Sequence, residues 1–210
     1  LGPGIENAFG AVAQAWGEGV PLVVIPGGYP RSEAWVRPNF NSGVSFQHCT
    51  KSVETINTPE MIVPALRRAF ALARNGRPGP VVVEVPHDMW TVEFPGEIDY
   101  MPSKRVRSAP DPKDIDAAAA KLIAAKFPLL YVGQGVHYAK AWDELKAVAE
   151  LLEAPVCTSL EGKSAFPEHH PLSLGTGAGV MPRPVHTFLQ KADVVLAVGA
   201  SLTRHNIVAA

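Results

Sequence analysis

The chain has 210 residues, 47% hydrophobic and 19% charged, with a formal net charge of −1. That length supports one large or two small buried cores. The near-neutral balance gives no electrostatic footprint for nucleic acid or an anionic membrane, and no apolar run is long enough to cross a bilayer.

Gly2-Pro3-Gly4 opens a helical pattern that runs to about Trp16, with Gly17 and Gly19 beyond it. Val20 to Ile25 reads as a buried strand ended by Pro26-Gly27-Gly28. Tyr29 to Gln47 is irregular, rich in Pro, Asn, Ser and aromatics; a loop of that length suggests function. Thr58-Pro59-Glu60 reads as a helix start, with Thr as N-cap, Pro in the first turn and an early acid. Ile62, Ala65, Leu66, Ala69, Phe70 and Ala73 then fall on one helical face. Gly76 and Gly79 stop that helix, and Val81 to Val85 is a strand cut off by Pro86.

Residues 93–111 read as a linker, with a basic cluster, Lys104-Arg105-Val106-Arg107, that fits a solvated surface. Asp111-Pro112 caps a helix through about Lys126. Leu129 to Val132 is a strand ending in Gly133-Gln134-Gly135. Trp142 to Leu152 is a helix, Pro155 to Thr158 a short strand, Met181 to Lys191 a helix, and Asp193 to Val198 a strand followed by Gly199-Ala200-Ser201. Strand, Gly turn and helix in repetition predict an α/β fold: two parallel-sheet, three-layer domains over 1–92 and 112–210. Leu at the first position, and a last strand without a closing element, predict a piece of a longer polypeptide. Cys49 and Cys157 fit no metal or redox spacing and read as two buried thiols in a reducing, cytoplasmic setting.

The chemistry in the second half centres on glycine turns after strands: Gly133 to Gly135, Gly175 to Gly179, and Gly199 to Ser201. Such turns let backbone N–H groups approach a phosphate, and together they could form a dinucleotide crevice. They also suit tight turns between packed elements. A full GxGxxG fingerprint is missing. The seven histidines show no zinc spacing, and no GxSxG elbow is present.

The tracts GPGIENAFGAVAQAWGEGVPLVVIPGGYPR, Thr50-Lys51 and RRAFALARNGRPGPVVVEVPHD resemble the pyrimidine-binding domain of thiamine-diphosphate enzymes, in the acetolactate synthase-like family. YVGQG, TSLEGKSAFPEHHPLSLGTGAG and ADVVLAVGASLT resemble that family's central, Rossmann-like domain. The resemblance covers nearly the whole chain. It implies that 1–92 is the C-terminal part of the pyrimidine domain and 112–210 a truncated central domain. It also implies a lyase or carboligase that acts on small 2-keto acids by decarboxylation and C–C bond formation.

By the same resemblance, Gly2, Pro3, Gly4 and Asn7 match the GPGxxN loop near the aminopyrimidine end of thiamine diphosphate. Phe40 with Asn41, or Phe46 with Gln47, falls near the substrate-side FQE segment, although neither pair reproduces it. The central domain binds FAD in some members, ADP in others and nothing in the rest. The matching turns here are Gly133, Gln134 and Gly135, Thr158, Gly175 and Gly177, and Gly199 with Ser201 and Arg204. The activating glutamate belongs upstream of Leu1, and the diphosphate- and Mg²⁺-binding domain downstream of Ala210, so no catalytic acid, base or nucleophile is assigned. Glu6 occupies a variable slot and reads as solvated or packing. A homodimer or homotetramer is implied, because the family's cofactor sits between subunits. Two other readings stand beside this one: an NAD- or ADP-binding domain of another class, which would need a catalytic group such as His137 beside the Gly turns, and a non-catalytic scaffold.

Overall fold

The computed structural model describes residues 2–202. The chain divides into two units, Leu1–Ser108 and Ala109–Ala210.

In the first unit, helix α1 (Pro3–Glu18) starts at a proline, whose fixed φ suits a first turn. It stops at Gly19, where φ is 68°, a left-handed conformation that lets the Gly19 amide bond back to the last carbonyls. Strands β1 (Leu22–Val24) and β2 (Gly27–Gly28) follow, interrupted at Pro26. The stretch expected to be irregular contains a short helix, α2 (Ser42–Ser45), and a 3₁₀ turn, Gln47–Cys49. Strand β3 (Val53–Thr55) precedes another 3₁₀ turn, Pro59–Met61, and helix α3 (Ile62–Arg74). Thr58 is extended, as an N-cap should be, but its side chain makes no capping bond, since a 3₁₀ turn intervenes before the α-helix.

Strand β4 (Pro80–Pro86) is the centre of this unit. It pairs in parallel with β1, β2 and β3. β1 and β2 keep one register along it, Leu22 opposite Pro80 and Gly27 opposite Val85. Side chains alternate across a strand, so β4 feeds two apolar layers. Val81 and Val83 pack with Ile56 and with Ala65, Ala69 and Ala73 of α3. Val82 packs with Val12 of α1, Phe46 and Cys49. Full burial of each such valine contributes about 1.5–3 kcal/mol. The buried face of α3 is narrower than expected. The three alanines, at i, i+4 and i+8, make the contact and draw the helix close to the sheet. Phe70 lies on the neighbouring ridge and is left exposed.

In the second unit, Asp111 caps α4 (Pro112–Ala124), its carboxylate accepting from the Lys113 amide. The remaining elements are β5 (Pro128–Val132), α5 (Gly135–Ala139), α6 (Trp142–Leu152), β6 (Val156–Thr158), β7 (Ser173–Thr176), α7 (Arg183–Lys191) and β8 (Val194–Val198). The sheet order is β7-β6-β5-β8, with every pairing parallel. Alternate residues of β5 serve opposite faces. Leu130 and Val132 pack with Leu145 and Ala149 of α6, while Leu129 and Tyr131 pack with Val185 of α7. The Asp193 carboxylate accepts from the amides of Lys126 and Phe127, which fixes the turn between α4 and β5 and holds its carboxyl below the usual range.

Both units are therefore parallel α/β layers with helices packed on the two sheet faces, as the sequence predicts. β7 differs from expectation. Its Gly175, at φ 87°, sits inside a strand at a register irregularity instead of in a turn.

Candidate functional site

The first unit places a cavity of about 120 Å³ at the carboxyl end of β4, the end where parallel α/β sheets bind ligands. It is lined by Tyr29, Arg31, Ala34, Trp35, Phe40, Asn41, Thr55, Asn57, Glu84 and Pro86. Each wall has a local cause. Asn41 caps α2 by accepting from the Val44 amide at 3.0 Å. Arg31 donates from Nε to Asp88 Oδ2 at 2.7 Å and from Nη1 to the Asn57 carbonyl at 2.7 Å, which pins the loop after β2. That guanidinium holds the Asp88 carboxyl below the usual carboxylate range.

Glu84 is the acid of this cavity. It is half-buried, and burial pushes its carboxyl above the usual range, with the Thr55 hydrogen bond opposing the rise. The Ser42 hydroxyl, itself buried, donates to Glu84 Oε2. The Thr55 hydroxyl reaches Oε1 at 3.4 Å. On β2, a Cβ at Gly28 would stand 2.8 Å from Glu84 Cδ, so glycine leaves room for the acid. One carboxyl thus touches β2, α2 and β3 from β4. Sequence reasoning missed it because Glu84 sits within an apolar run. The signal was there: a lone acid in an otherwise buried strand.

The sequence-predicted residues distribute as follows. Gly2, Pro3, Gly4 and Asn7 lie at the amino end of α1; the last three are exposed, and nothing lies within 4 Å of a Cβ placed on Gly4. A Cβ at Gly2 would stand 3.0 Å from the Tyr29 hydroxyl oxygen, so Tyr29 spans from this turn to the cavity. Phe40 and Asn41 line the cavity. Phe46 does not: it is fully buried, its ring 5.1 Å from that of Phe9 and 6.4 Å from that of Phe40. Gln47 opens on a separate concavity with Gly43, Thr50 and Lys51. Glu6 is exposed on the first turn of α1.

In the second unit the glycine turns pack on one another. The Gly133 amide donates to the Val198 carbonyl and the Gly135 amide to the Gly199 carbonyl, each at 2.9 Å. The Gly177 amide donates to the Thr158 carbonyl at 2.8 Å. A Cβ at Gly133 would stand 2.4 Å from the Gly199 carbonyl oxygen, and one at Gly135 would stand 2.6 Å from the Gly199 Cα. These glycines permit backbone to touch backbone, and their amides are spent inside the fold. Gln134 is the N-cap residue of α5, the Thr158 hydroxyl pairs with that of Thr176 at 3.1 Å, Gly175 lies in β7 and Ser201 is exposed. Arg204 lies outside the described residues.

His137, the group the NAD-type alternative required, is occupied on both nitrogens. Trp142 Nε1 donates to its Nδ1 at 3.0 Å, which leaves Nε2–H to donate to the Lys163 carbonyl at 2.9 Å. Among the described residues no cluster of three His, Cys, Asp or Glu could hold a metal ion, and no helix is long and apolar enough to cross a membrane.

Comparison with known proteins agrees with this architecture. Residues 115–209 match the family model for the thiamine pyrophosphate enzyme central domain. The acetolactate synthase large subunit of Corynebacterium glutamicum is 36% identical over 207 residues, which covers 95% of this chain and 33% of that protein. Sulfoacetaldehyde acetyltransferase of Rhodobacter capsulatus is 34% identical, covering 96% of the chain and 34% of that protein. The crystal structure of benzoylformate decarboxylase from Polynucleobacter necessarius superposes with a TM-score of 0.83 at 29% identity, covering 97% of this chain and 39% of that one. Residues 115–209 thus belong to the thiamine pyrophosphate enzyme central-domain family. Over nearly its whole length the chain is similar to thiamine-diphosphate-dependent enzymes of the acetolactate synthase type, and it spans about a third of the length of the curated relatives it matches.

Proposed function

We propose that this chain supplies one wall of the thiamine-pyrimidine site and the central spacer domain of a lyase or carboligase acting on 2-keto acids. The observation that carries the reading is the exposed turn at Gly4 and Asn7, joined through Tyr29 to a cavity holding Arg31, Asn41 and Glu84. A flat heteroaromatic edge fits there: the helix start is positively polarised, Gly4 presents no side chain, and Asn7 offers both a donor and an acceptor. When bound, thiamine diphosphate supplies the electron sink for loss of CO₂ from a 2-keto acid. This chain's residues would orient the ring edge and exclude water from one side. Among the described residues no cluster of three His, Cys, Asp or Glu could hold Mg²⁺, and this reading assigns the Mg²⁺ and diphosphate half of the cofactor to other parts of the enzyme.

A homodimer or homotetramer in the cytoplasm completes the reading, and two free cysteines fit a reducing compartment. For the central unit, the spent amides favour a spacer role over a dinucleotide crevice. Stoichiometric uptake of FAD or ADP by the purified protein would instead assign the crevice.

The test is CO₂ release from pyruvate and from benzoylformate. A polypeptide that carries this segment together with the family's other domains should require thiamine diphosphate and Mg²⁺, and should lose activity in Asn7→Ala. The 210-residue chain alone should release none. Release by the chain alone would overturn the division of labour.

A further inference from the structure

We propose that Glu84 is a positioning and charge-selecting residue for the first unit's cavity. Through Ser42 and Thr55 it fixes the α2 turn that carries Phe40 and Asn41, and the cavity binds a small anion more weakly when that carboxyl is charged. Only the identity of that anion, a 2-keto acid, rests on the function proposed above.

The argument begins with charge. Four other ionisable groups belong to the cavity or to the residues paired or packed around it. Arg31 and Tyr29 line the same cavity, Asp88 neutralises Arg31, and the Cys49 thiol lies in the apolar layer behind, pushed upward by burial. With the Arg31–Asp88 pair matched, Glu84 is the remaining acid in the cavity's lining. A neutral carboxyl gives an uncharged cavity with polar lining, whereas a carboxylate gives one negative charge. A like charge even about 10 Å away, at an effective dielectric of about 20, weakens anion binding about tenfold, and the shorter separations inside so small a cavity weaken it further.

Geometry adds the second half. Ser42 is the first residue of α2 and Asn41 its cap, so the Glu84–Ser42 contact holds the cavity wall directly. Gly28 leaves the space that Glu84 fills. Nothing else in the cavity's lining needs an acid at this position, because Arg31 already has Asp88.

Two readouts test this. The first needs no activity. Trp35 lines the same cavity and is 81% exposed, so its emission reports on the wall. The purified chain should show an emission change with pH, centred above the ordinary carboxylate range, that Trp35→Phe removes and Glu84→Gln abolishes. Ser42→Ala, which takes a donor from the carboxylate, should move the midpoint upward. An unchanged transition in Glu84→Gln, with its circular dichroism intact, would overturn the proposal. If Glu84→Gln fails to fold, the Ser42→Ala midpoint decides in its place. The second readout is the pyruvate KM of the complete enzyme, which should rise at least about tenfold across the same pH range in wild type and stay flat in Glu84→Gln. Matching KM profiles in the two proteins would overturn charge selection. A complete enzyme inert to every 2-keto acid would sink the function proposed above, while the Trp35 titration would still decide the role of Glu84.

Discussion

The Lys51 ammonium lies 2.7 Å from the Asn75 carbonyl oxygen, at the far end of a helix that begins eleven residues after it in sequence. It also reaches the carbonyls of Leu72 and Arg77. The last turn of any helix leaves carbonyls without intrahelical partners, and a cation there satisfies them and complements the helix dipole. α3 has no left-handed glycine cap: Asn75 is extended and Gly76 follows at φ 66°. Lys51 performs that closure from another element, and its own amide donates to the Pro80 carbonyl at the start of β4. One residue thus ties the end of α3 to the central strand.

Lys51→Met keeps the apolar stem and removes the donors. The carbonyls can turn to water because this region is partly exposed, so the loss should be about 1–3 kcal/mol and not more. Urea denaturation of the chain measures it. Wild-type stability in Lys51→Met would show that the three contacts contribute nothing net.

The glycine contacts of the second unit make an internal control. Gly133→Ala places a methyl group against the Gly199 carbonyl and the Ala200 backbone, where no flexible side chain can yield. It should cost at least about 1–3 kcal/mol, as overpacking does. Gly179→Ala meets nothing within 4 Å and has an ordinary φ, so its effect should stay within about 0.5 kcal/mol. Equal thermal midpoints for the two variants would refute the packing role of Gly133.

The central strands were legible in the sequence because each is an apolar run closed by Gly or Pro: VVVEV, LLYV and VVLAV all appear as strands. Helices α3, α4 and α6 were legible from period and caps. β3 was not, since Val53-Glu54-Thr55 is three residues with a polar centre and takes its strand geometry from pairing with β4. β7 was hidden by Gly175, which reads as a turn and serves as an irregularity inside a strand. The motif resemblance pointed to GPG and to Phe40, and of these Phe40 lines the cavity. Glu84 could not, because hydrophobic-run reasoning passes over a single polar letter, and its partners Ser42, Thr55 and Gly28 come from three different elements. Phe46 and Gln47 are neighbours in sequence, but one enters the core and the other opens on a different concavity.

The two cysteines offer a simple check of the cores. Cys157 is fully buried, and its pKa is pushed up to about 12 by burial. Cys49 is buried beside Val82, and its thiol is likewise raised. Thiolate is the reactive form, so a disulfide reagent at pH 8 should label neither residue quickly in the folded chain and both in guanidinium. Rapid labelling of Cys157 in native protein would mean that the second unit's sheet opens far more readily than its packing allows.

Stability against pH should carry the mark of Glu84. Its folded pKa is raised, so between the unfolded carboxylate range and the folded value the native state holds a proton that the unfolded chain has lost. Stability must therefore fall as pH rises through that window and then level off. Asp88 and Asp193 act oppositely, because their folded values are depressed: their contributions are present above the ordinary carboxylate range and fade as pH drops through the folded values. The two effects occupy different windows, one above the ordinary range and one below it. Glu84→Gln keeps a neutral group of the same size with a carbonyl oxygen to accept from Ser42. Its urea midpoint should be flat through the upper window and should gain on wild type as pH approaches neutrality, while the acid-side decline remains. If the variant instead declines through the upper window in parallel with wild type, the proton belongs to another group and the carboxyl at β4 is ionised throughout.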